Sequence, residues 1–101
     1  MRVIKKLTEL IDEELCDAEK YAKLALQYKE EYPDVAEMFN SLSGEELKHM
    51  GILHNAVTRL ISQVKTNDTR TEGMKMAHEI LHERAIEKEK SVRMLQAMFR
   101  E

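Results

Sequence analysis

The chain has a single cysteine, Cys16, so it contains neither an internal disulfide nor a Cys-x-x-Cys metal knuckle. Read by itself, Cys16 is expected to be a small buried apolar residue. One proline and three glycines in 101 residues are too few for a turn-rich sheet protein, while 35% of residues are charged and 43% hydrophobic. That mixture favours long helices, and no sheet is expected. No apolar run is long enough to span a bilayer, and Met1-Arg2-Val3-Ile4-Lys5-Lys6 lacks the hydrophobic region of a signal peptide. A cytoplasmic protein is expected. Nor does charge of one sign dominate: the net charge is -3, and Lys and Arg are interleaved with Asp and Glu. No basic stripe is left to neutralise a phosphate backbone, which argues against nucleic acid as a partner. The length suits one domain, residues 1–101, with a modest core that self-association would enlarge.

What is present is helical periodicity. Apolar residues recur every three or four positions in three segments, and no linker or low-complexity tract divides them. The pattern predicts helices at about 2–30, 33–64 and 70–100. The first stops before Tyr32-Pro33, because the residue ahead of a proline is forced out of helical geometry. Pro33 and Asp34 suit the opening turn of the second, where a missing N–H is harmless and a carboxylate meets the positive end of the dipole. Lys65-Thr66-Asn67-Asp68 closes the second helix, and Thr69 with Glu72 has the spacing of a capping box for the third. The fold class is all-α: a long antiparallel hairpin plus a third helix.

Polar residues interrupt the apolar stripes. In the first helix the stripe Ile4, Leu7, Ile11, Glu14, Ala18, Tyr21, Ala25, Tyr28 runs through a glutamate. In the second, Val35, Phe39, Leu42, Glu46, His49, Leu53, Val57, Leu60 runs through a glutamate and a histidine. A buried carboxylate is unfavourable unless it is paired, hydrogen-bonded or bound to a cation. Glu46 and His49 stand about one turn apart on one face, close enough to reach one ion. Their depth agrees with that of Glu14. It lies about 16 residues or roughly 24 Å below the turn, and Glu46 about 13 residues or roughly 20 Å beyond Pro33. Taken singly, each glutamate could equally lie at the stripe edge with its carboxylate in water, and the histidine could be a satisfied core residue. At matched depth, the three together point to a metal.

These residues resemble the rubrerythrin and encapsulated-ferritin branch of the ferritin-like families. The likeness lies in Glu14 with Tyr21 seven residues on and Ala22 and Ala25 after it, then in Phe39, Glu46 and His49. It spans roughly Leu7 to Val57. The resemblance implies that Glu14, Glu46 and His49 form one half of a di-iron site. Two copies would supply four glutamates and two histidines, so that a ferritin-like four-helix bundle is completed by a homodimer or higher homo-oligomer. It further implies two iron ions per dimer site, with manganese or zinc accepting the same ligands, and oxidation of iron(II) by oxygen or peroxide. Tyr21 would then donate a hydrogen bond to a ligand carboxylate or supply an electron, or else be an aromatic core residue. The rubredoxin-type cysteine set is absent, so electrons would come from an external donor. The chain ends in helical sequence without the targeting tail of an encapsulated cargo, and no compartment shell is expected.

The third helix adds His78-Glu79-Ile80-Leu81-His82, the His-Glu-x-x-His signature of zinc peptidases. Such enzymes need a third ligand downstream and a strand edge to hold the peptide, and only helical sequence follows. Glu79 and His82 also have the ferritin-like spacing and offer a second way to complete the site, within one chain. Phase counts against it: with Met74, Leu81, Ala85, Val92, Leu95 and Phe99 as the core face, Glu79 falls nearly opposite and His82 at the edge. His54, off its stripe, is expected in solvent. Met38, Met50, Met74, Met76, Met94 and Met98 read as packing residues, or as oxidant sinks beside a redox metal. Gly44 suggests a close helix approach near the glutamates. The competing functional class is a non-catalytic helical scaffold with a degenerate metal site.

Overall fold

A computed structural model describes residues 2–63 and 69–101, with side chains placed for all of these except 69–72 and 74. The order is α1 (Arg2–Tyr28), α2 (Pro33–Gln63) and α3 (Thr69–Arg100), with no strand among the described residues. α1 ends two residues earlier than its periodicity suggests. Tyr32 N–H still donates to the Tyr28 carbonyl at 2.9 Å, and Tyr32 offers its own carbonyl to Ala36 N–H at 2.9 Å, so one tight turn closes α1 and opens α2. Pro33 and Asp34 occupy the first turn of α2 as expected. Val64, the closing stretch Lys65 to Asp68 and the side chains of the capping box Thr69 to Glu72 lie outside the described residues.

The three helices form a rod of 57 × 18 × 15 Å. α1 is the common neighbour: it packs along α2 and along α3, whereas α2 and α3 meet only sparsely. Two bonds share a sequence offset of 72 residues: Lys88 Nζ to Cys16 Sγ, between α3 and α1, and Lys29 Nζ to the Glu101 carbonyl, just past the C-terminal ends of the same two helices. A constant offset means that α3 runs parallel to α1 in fixed register. α2 runs antiparallel to both.

One core contains Ile4, Ile11, Leu15, Ala18, Leu47, Met50, Val57 and Val92, and a smaller one contains Ala25, Ala36 and Phe99. The α1 stripe faces these as predicted. On α2 the buried line is shifted by about one residue, to Ala36, Ser43, Leu47, Met50 and Val57, which leaves Val35 42% exposed. The shift follows from α3, which packs on one flank of the hairpin and draws that flank inward. Ser43 is the hinge of this packing. Fully buried, its Oγ donates to the Ala18 carbonyl at 2.7 Å and accepts from Gln96 Nε2 at 2.9 Å, so one hydroxyl ties all three helices. Each such buried bond contributes about 1 kcal/mol net.

Several expectations are corrected here. Cys16 is exposed, its thiol facing Lys88 on α3. Among the described methionine side chains, Met50 is in the core while Met38, Met76, Met94 and Met98 are exposed, so gap-filling within the chain accounts for one of these five; the Met74 side chain lies outside the described residues. A Cβ added at Gly44 would meet nothing within 4 Å, so the close helix approach occurs at its neighbour Ser43 instead. On α3 the core stripe holds at Val92 and Phe99, but Leu81 is 41% exposed.

Candidate metal centre

Glu14 on α1 and Glu46 and His49 on α2 converge on one spot, each offering a ligand atom within 4.8 Å of the others. The antiparallel hairpin brings them level, as the depth argument anticipates. Both glutamates are half-buried, while His49 is on the rim with its side chain 52% exposed. His49 Nδ1 stands 3.5 Å from Glu14 Oε2 and 3.8 Å from Glu46 Oε2, distances of electrostatic contact, too long for a hydrogen bond. Glu14 Oε2 is buried and has no hydrogen-bond partner. Such an oxygen is unfavourable as an anion until a cation or proton meets it. This orphaned oxygen, with a second carboxylate and an imidazole beside it, fits a divalent metal of the kind that accepts mixed oxygen and nitrogen ligands.

Without metal, crowding of the two carboxyls makes Glu46 hold its proton more tightly. The Glu46 carboxyl is pushed up from 4.5 to about 7, chiefly by the hydrogen bond it shares with Glu14, then by burial and the Glu14 charge, with His49 pulling the other way. A carboxyl that holds its proton more tightly folded than unfolded stabilises the fold at low pH. Its contribution is complete below about 4.5 and is lost as pH rises through about 7. The metal-free chain is therefore expected to be less stable at pH 8 than at pH 5 in urea melts. Glu46→Gln should remove on the order of 1–3 kcal/mol of that difference. Equal pH dependence in the two proteins would show that the carboxyls share no proton.

Tyr21 stacks on Phe39 with ring centroids 6.1 Å apart, and Tyr28 stacks on the other side of Phe39 at 6.2 Å. Among the described residues its hydroxyl makes no hydrogen bond to a site carboxylate. It forms instead an aromatic wall between the cluster and the hairpin turn.

The third helix does not complete the cluster. At about 100° per residue, Cys16, which faces α3, lies nearly opposite Glu14 on α1, so α3 covers the other flank of the hairpin. Glu79 is exposed, and His82 sits on that far flank, its Nδ1 2.9 Å from His54 Nε2. His54 is accordingly part-buried, which corrects its expected place in solvent. Sequence reasoning missed this pairing because His54 was judged only against the α1-facing stripe. Burial, aided by the His82 charge, makes the His54 and His78 imidazoles easier to deprotonate than usual.

The face around the cluster is open. Val35, Leu42, Glu46, His49 and Leu53 fall within an arc of about 60° on α2, away from α3. Among the described residues, no helix is long and apolar enough to cross a membrane. Comparison with known proteins finds no match among curated proteins or solved structures. The sequence model of the family described as Rubrerythrin, however, matches residues 5–100, nearly the whole chain and well beyond the helix pair that carries the likeness. On that match the chain belongs to the rubrerythrin family.

Proposed function

We propose that this chain is a half-site di-iron protein: two copies pair through the open α1–α2 face and oxidise iron(II) with oxygen or peroxide. The observation that carries the reading is the buried, partnerless Glu14 Oε2 in a cluster of only two carboxylates and one histidine. Two copies would bring four carboxylates and two imidazoles together, the full ligand set of a ferritin-like centre. Glu46 would bridge with its symmetry mate, and Glu14 and His49 would be terminal ligands. The two irons would supply the two electrons that, with two protons, reduce peroxide to water or oxygen to peroxide.

The chain's own residues have defined tasks in this scheme. Glu14 and Glu46 supply hard anionic oxygens that favour the more highly charged product ion. The proton held by Glu46 below about pH 7 must leave as metal enters, so binding weakens as the solution becomes more acidic. Tyr21, Phe39 and Tyr28 would screen the turn side of the cluster from water. Electrons to return the iron to its reduced form would come from an external donor.

Anaerobic titration with iron(II) followed by oxygen tests the reading. About one iron per chain, then formation of the near-ultraviolet iron(III) absorption, is expected. A chain that binds no iron would be a helical scaffold with a degenerate site, which is the alternative reading.

A further inference from the structure

The His-Glu-x-x-His segment of α3 has two imidazoles one turn apart and no third ligand downstream. The fold supplies one from upstream. His54 on α2 meets His82 with Nε2 and Nδ1 2.9 Å apart, ring centroids 4.5 Å apart and ring planes 15° apart. His78, one turn back on α3, has its ring 5.9 Å from that of His82. We propose that His54, His82 and His78 bind a divalent transition ion of the zinc class, at a site separate from the Glu14, Glu46 and His49 cluster and independent of the function proposed above.

The chemistry of the donors selects the ion. Three imidazoles without a carboxylate among them favour zinc, cobalt(II), nickel or copper over the harder ions that carboxylates hold. Zinc–nitrogen bonds of about 2.0–2.1 Å in a tetrahedral site separate the two nitrogens by roughly 3.3 Å, so His54 and His82 need part by only a few tenths of an ångström. His78 lines a neighbouring cleft with Ile4 and Thr8 of α1 and would have to rotate out of it to join them. The pair opens onto a cleft of about 200 Å³ lined by Met50, Gly51, His54, Asn55, His82 and Glu89. At Gly51 a Cβ would meet nothing within 4 Å, which leaves room for water on the remaining coordination position. Glu89 accepts two bonds from Arg93 at 2.9 and 3.3 Å and stands as an outer negative charge beside the cleft. Burial makes the His54 and His78 imidazoles easier to deprotonate, and the proton shared between His54 Nε2 and His82 Nδ1 would leave as the ion enters. Since α2 and α3 otherwise meet sparsely, the ion would brace one against the other.

The test uses the full chain carrying Glu14→Ala and Glu46→Ala, which removes the carboxylate site. Cobalt(II) is expected to bind at about one per chain with visible d–d bands, and zinc to displace it and raise the melting temperature. Adding His54→Ala or His82→Ala should weaken cobalt binding by at least about 30-fold. Absence of cobalt and zinc binding in the carboxylate variant, or undiminished binding after either histidine is removed, would overturn the proposal. Should the carboxylate variant not fold, zinc added to the wild-type chain is followed by imidazole NMR signals. Shifts of His54 and His82 support the site, and shifts confined to His49 refute it.

Discussion

Glu46→Ala is expected to weaken iron(II) binding by at least about 100-fold while leaving the helical content unchanged. Loss of a hydrogen-bonding group around a metal commonly lowers affinity about 10–100-fold, and a bridging ligand lost from both halves of a symmetric site acts twice. Folding should survive because the side chain is only half-buried and, without metal, disfavours the folded state above about pH 7. Helicity by circular dichroism and iron binding by anaerobic titration separate the two effects. His49→Ala should be milder, since its side chain is half-exposed and no hydrogen bond holds it in the metal-free chain. Iron binding that survives Glu46→Ala at wild-type strength would sink the di-iron reading.

Leu42→Asp is expected to give monomers and, with them, loss of iron binding. Leu42 lies on the same arc as Glu46 and His49, on the flank that α3 leaves open, so a pair of copies meeting there would bury two opposed aspartates. Like charges brought together out of water cost several kcal/mol, enough to dissociate a dimer of a chain this small. Sedimentation should find the wild type near twice 11.8 kDa and the variant near 11.8 kDa, both helical. A wild-type monomer that still binds two irons would overturn the shared site. If the variant remains dimeric, the partner occupies a different face.

Much of this arrangement is written in the sequence at short range. Steps of three and four residues carry the α1 stripe through Glu14, and Pro33 fixes the turn that brings Glu14 level with Glu46. Neither inference needs more than helical geometry. What was not legible depended on α3. Which flank of the hairpin it covers decides that Ser43 is buried and Val35 exposed, that Cys16 meets a lysine, and that His54 lies under His82 instead of in solvent. A hydrophobic stripe gives the direction of the nearest neighbour and carries little information about a second one. Ser43 was the hardest to foresee, because a serine in a helix is usually solvent-facing and only the Gln96 amide and the Ala18 carbonyl give it a reason to be inside.

α3 is fastened unevenly along its length. Its C-terminal third holds Val92 and Phe99 in the core, Gln96 on Ser43 and Arg100 on Glu37, whereas between Lys75 and Ser91 no described side chain is fully buried. Local opening should therefore start at the N-terminal half of α3 and stop near Val92, so that this helix detaches like a flap hinged at its far end. His78 and His82 sit on the flap and His54 on α2, so opening would part them, while the Glu14, Glu46 and His49 cluster lies across the hairpin from the flap. Breathing of the flap would then leave that cluster undisturbed.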